Sequence, residues 1–147
     1  MCSLFAREVG EEPAGTAGSY KRYVIIEVPM PWARDAWMSP QVTPALREAI
    51  AHAGWEEAQT RFLAVAPDPH YSRAGYTRVL YFQAPDEPFA RYDKSDYLVP
   101  REELSFLVEA LAEGDAGRFG QHLESSNHIR EMLVCTHGAR DACCGKF

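Results

Sequence analysis

Three of the four cysteines, Cys135, Cys143 and Cys144, fall within the last thirteen positions of the 147-residue sequence, while Cys2 stands at the opposite end. The segment reads Cys135-Thr136-His137-Gly138-Ala139-Arg140-Asp141-Ala142-Cys143-Cys144-Gly145. It sets one thiol at the end of an expected strand over 130–135. A glycine-containing turn follows, with Asp141 as N-cap, and then two thiols in the first turn of a helix that begins at Ala142. That arrangement suits thiolate chemistry. A free thiol with a pKa of about 8.5 is only about 3% ionised at pH 7, and a helix N-terminus that lowers the value to about 7 raises the fraction to about half. Arg140 adds positive charge nearby. Neighbouring helical residues point about 100° apart, so Cys143 and Cys144 do not both reach one small site, and one of them is expected to partner Cys135. The spacing matches neither the CxxC pair of common zinc sites nor an ordinary ferredoxin run. Metal ligation and thiol redox chemistry both stay open on these residues alone.

Other chemistry finds less support. His137 is read as a turn residue whose ring orients the loop, Arg140 and Asp141 as a solvated charge and a helix cap, and Cys2 as a spectator. Gly15-Thr16-Ala17-Gly18 lacks the Lys-Ser/Thr ending of a phosphate loop and precedes a strand, which argues against nucleotide binding. His52, His70, His122 and His128 are dispersed, with His52 expected on the solvent side of its helix. Trp32, Trp37 and Trp55 are expected to pack on the core or its rim. No nucleophile elbow signals a Ser-His-Asp hydrolase.

Composition bounds the rest. With 46% apolar and 24% charged residues the chain is expected to bury a core without disulfide staples. Fifteen basic against twenty-one acidic side chains give a net charge of −6, and no dense Lys/Arg cluster offers the phosphate contacts that duplex binding needs, so no nucleic-acid partner is expected. The longest apolar runs are of strand length, so no membrane span is expected. Met1 to Val9 lacks the layout of a secretory signal, which predicts a cytoplasmic protein with reduced thiols.

The elements that must position the cysteines are readable from periodicity. The β-branched run Val24-Ile25-Ile26 predicts a strand over Tyr20–Val28, after a loop from Gly10 to Ser19. Pro29, Pro31 and Pro40 then preclude regular pairing or an uninterrupted helix. Thr43-Pro44 starts a helix in which Leu46, Ala49, Ile50 and Ala53 recur at i, i+3, i+4 and i+7 before Gly54. Strands are expected at Arg61–Ala66, Thr77–Gln83 and Tyr92–Val99. Leu104, Leu107, Val108 and Leu111 predict a second helix stopped by Gly114. A connection from Gly114 to Ser126 follows, with a possible helical turn at His122 and Leu123. The expected fold class is α/β, a mixed sheet flanked by helices.

The run from Cys135 through Gly145 resembles the signature of the sucrase/ferredoxin-like family. Cys2-Ser3, Glu12 to Ala17, and the strand ending Glu27-Val28-Pro29-Met30-Pro31-Trp32 are similar to that family's N-terminal half. The resemblance implies a thioredoxin-like [2Fe-2S] ferredoxin domain, with residues 1–127 as an N-terminal α/β region and 128–147 as the incomplete start of the ferredoxin domain. It implies Cys135 and Cys144 as cluster ligands, Cys143 in a variable slot, and two further ligands from downstream histidines. Since the sequence stops at Phe147, a C-terminally truncated form is expected, which on its own binds the cluster poorly. The expected role is electron transfer through a [2Fe-2S] cluster with an unidentified redox partner, in preference to hydrolysis. The alternatives are a cluster-free thiol redox or sensor protein, in which Cys143 or Cys144 attacks and Cys135 resolves, and a structural domain with zinc or no metal.

Overall fold

The computed structural model describes residues 8–10, 20–53, 59–88, 91–125, 131 and 133. Among the described residues, four strands form one mixed sheet: β1 (Arg22–Glu27), β2 (Thr60–Val65), β3 (Tyr76–Gln83) and β4 (Asp93–Pro100). Their spatial order is β2-β1-β3-β4, with β1 parallel to β2 and β3 antiparallel to both β1 and β4. Helix α1 (Pro44–His52) makes the crossover between the parallel pair, and α2 (Leu104–Glu113) follows β4. The expected α/β class with a mixed sheet is what the chain adopts. Among the described residues, no helix is long and apolar enough to cross a membrane.

Local chemistry explains the element ends. The Thr43 hydroxyl accepts the amide of Leu46 at 3.2 Å, and Pro44 fills the first helical position, where no backbone donor is needed. Gly114 ends α2 at φ 78°, a left-handed conformation that glycine adopts without Cβ strain, and the amide of Asp115 returns to the Ala110 carbonyl at 2.8 Å. β1 is shorter at both ends than the run that predicted it, although the Val28 amide still donates to the Val65 carbonyl at 2.8 Å. Between Pro29 and Thr43 the chain forms one 3₁₀ turn, Ala36–Met38, capped by the Asp35 carboxylate, which accepts the Trp37 amide at 3.0 Å. Trp32 and Trp37 pack against the core, as expected; Trp55 lies outside the described residues. His52 is exposed. The turn expected near His122 is a 3₁₀ helix over Ala116–His122, after which Leu123 bridges to Tyr97 on the free side of β4.

The two faces of the sheet differ because strand side chains alternate. Val24, Ile26, Phe62, Val79, Tyr97 and Val99 point to one side and meet Leu46, Ala49 and Ile50 of α1 and Leu104, Leu107, Val108 and Leu111 of α2 in one continuous core. Both helices therefore cover the same face. Leu107 is fully buried in this layer, so Leu107→Ala is expected to cost about 2–5 kcal/mol in urea unfolding at unchanged m-value; a loss below about 1 kcal/mol would contradict the packing.

Tyr81 reaches the edge of the same core and donates to Gln83 Oε1 at 2.9 Å. Burial is the largest influence on its phenol and raises its pKa from the ordinary 10.0, against the opposing charge of Arg22. Folding thus favours the protonated phenol. The associated stability is intact below pH 10 and is lost as pH rises through the higher folded value. Alkaline urea titrations should show a shallower decline above pH 10 for Tyr81→Phe than for the unsubstituted protein, and identical slopes would contradict this assignment.

Candidate functional site

The face turned away from the helices carries the charges. Tyr23, Ile25 and Glu27 of β1 point there, and the register sets Ile25 beside Leu63 and Leu80, and Leu80 beside Asp96. Arg78, two residues before Leu80 on the same face, reaches diagonally across to β4 and donates from Nη1 to Asp96 Oδ2 at 2.7 Å. The side chains are 14% and 2% exposed, so this ion pair is largely withdrawn from water.

The remaining donors of Arg78 organise the connection between β2 and β3. Nε and Nη2 both donate to the Tyr71 carbonyl, at 3.2 and 2.9 Å, and the guanidinium lies 5.6 Å from the centre of the Tyr71 ring. Glu27 secures the same connection from the other side: Oε1 accepts the Ser72 hydroxyl at 2.8 Å and Oε2 accepts the Arg78 amide at 3.1 Å. Asp68 turns the loop locally by accepting the His70 amide at 2.8 Å. One strand carboxylate and one guanidinium thus fold residues 68–72 over the edge of the sheet.

Between this loop and the sheet lies a cavity of about 250 Å³. Ile25, Val65 and Leu80 give it an apolar floor, Glu27 and Asp96 line it, and Glu131 and Leu133 complete it. Glu131 pairs with Lys94, the second residue of β4. Two residues just upstream of Cys135 are therefore seated on the sheet.

This arrangement holds the β2–β3 connection onto the sheet. Both oxygens of Glu27 accept hydrogen bonds, and Asp96 faces a guanidinium. Among the described residues, no three His, Cys, Asp or Glu side chains group in a way that could hold a metal ion.

Cys135 and Cys144, the ligand pair that the family resemblance implies, lie outside the described residues, as do Cys2, Cys143, His137, Arg140 and Asp141. Of the strand expected over 130–135, only Glu131 and Leu133 are described. No motif in the sequence marks Glu27, Arg78 or Asp96. The available signal was a charged residue inside each of three strand patterns, at positions that alternate away from the apolar core.

Removing one member of the buried pair leaves the other uncompensated. Asp96→Ala is expected to destabilise by about 3–5 kcal/mol in urea unfolding, while replacing Arg78 and Asp96 together by Met and Leu is expected to recover most of that loss. A cost for Asp96→Ala below about 1 kcal/mol would show that the pair is solvated.

The family model described as sucrase/ferredoxin-like matches residues 13–147, which includes the sheet, both helices and the cysteine segment. No curated protein and no solved structure matches the chain. On the strength of a match that spans nearly all of its length, the chain belongs to the sucrase/ferredoxin-like family.

Proposed function

We propose that the protein transfers electrons through a [2Fe-2S] centre to which Cys135 and Cys144 contribute two ligands. The observation that carries this reading is the family match, which runs through both cysteines, joined to their chemistry: thiolates are the usual protein ligands of such clusters. The connectivity of the sheet adds support. It joins a β-α-β unit to a β-β-α unit in the order β2-β1-β3-β4, a packed scaffold upstream of both cysteines. When bound, the cluster supplies a one-electron redox couple. The residues of this chain supply thiolates at one end, and a packed sheet that anchors the segment leading to them.

Anaerobic reconstitution of the protein expressed from its complete reading frame tests the proposal. Two irons and two sulfides per chain with charge-transfer absorption in the visible are expected. Cys135→Ser and Cys144→Ser should each abolish them, and Cys143→Ser should not. A colourless protein with one fast-alkylating cysteine of low pKa would overturn the reading in favour of thiol redox chemistry.

A further inference from the structure

Lys94 sits at the start of β4, on the face away from the helices, opposite Phe82. Its side chain is only 8% exposed, an environment that a lysine tolerates only when its charge is met. Glu131, thirty-seven residues further on and itself 21% exposed, meets that charge among the described residues. Leu133 completes the attachment by lining the cavity with Ile25 and Leu80, although it remains 49% exposed, so its apolar contact is partial. The electrostatic contact is thus the firmer of the two holds on this part of the chain. Cys135 follows Leu133 by two residues, and two peptide units span at most about 7 Å.

We infer that Lys94 is a positioning residue for the cysteine segment: its ion pair with Glu131 latches the approach to Cys135 onto the sheet and so limits how far the first thiol of the motif can depart from it. Lys94 takes no part in the chemistry of the thiols. The functional weight of the latch rests on the proposed role of Cys135, but its existence can be read without any cluster.

The test is the alkylation rate of Cys135, resolved by peptide mass spectrometry on the metal-free, reduced protein. Lys94→Gln and Glu131→Gln should each accelerate alkylation about fivefold, the size expected from losing a partly buried ion pair. The double exchange Lys94→Glu with Glu131→Lys should return the rate to within about twofold of the original, a rescue that simple loss of packing would not give. Unchanged rates in both single variants, or an acceleration that the exchange does not reverse, would overturn the latch. Because the measurement is made without metal, a failed cluster reconstitution leaves this outcome unaffected, and the two claims fail separately.

Discussion

Arg78 and Asp96 meet on a face of the sheet from which water is largely withdrawn, and the outer half of the molecule is arranged around keeping the two charges paired. Two charges removed from solvent are favourable only when geometry and extra hydrogen bonds compensate their lost hydration. Asp96 receives one arm of the guanidinium, and the other donors of Arg78 go to the Tyr71 carbonyl. Satisfying the arginine therefore requires the β2–β3 connection to fold back over the sheet. Glu27 reinforces that demand through Ser72 and the Arg78 amide. The cavity under the loop follows from these contacts, because the backbone is held above Ile25 and Leu80 by polar groups at its rim and not by apolar filling.

The opposite face obeys a simpler rule. Alternation along β1, β3 and β4 presents an apolar surface, and two helices whose apolar residues recur every three or four positions lie on it. That layer was almost fully legible in the sequence: the β-branched centre of β1, the Thr43-Pro44 start of α1 and the Gly114 stop of α2 are local signals with local causes. The charged layer was not legible. Arg78 and Asp96 are eighteen residues apart, Glu27 and Ser72 forty-five, and Lys94 and Glu131 thirty-seven, so their pairing depends on strand order and register, which periodicity does not encode. What the sequence offered was the chemistry of the cysteine segment without its location, whereas the structure offers the location of its approach.

These two kinds of information join at Glu131 and Leu133. The proposed function takes Cys135 and Cys144 as cluster ligands, and the pairing of Glu131 with Lys94 ties the approach to the first of them to a packed sheet. Ligand preorganisation matters for a metal cluster, since ligands held by a packed scaffold lose less freedom on binding than ligands on a free chain. In this account the four-stranded sheet is a platform: one face makes the core that stabilises it, and the other uses buried charge to gather a loop and the approach to the thiols.

Nuclear Overhauser contacts between the methyl groups of Leu133 and those of Ile25 and Leu80, measured on selectively methyl-labelled protein, test this platform most directly. The account predicts resolved cross-peaks among the three residues with Leu133 shifts displaced by the sheet. Random-coil Leu133 shifts and no cross-peaks to either partner, in a protein whose Ile25 and Leu80 signals are otherwise well dispersed, would contradict it.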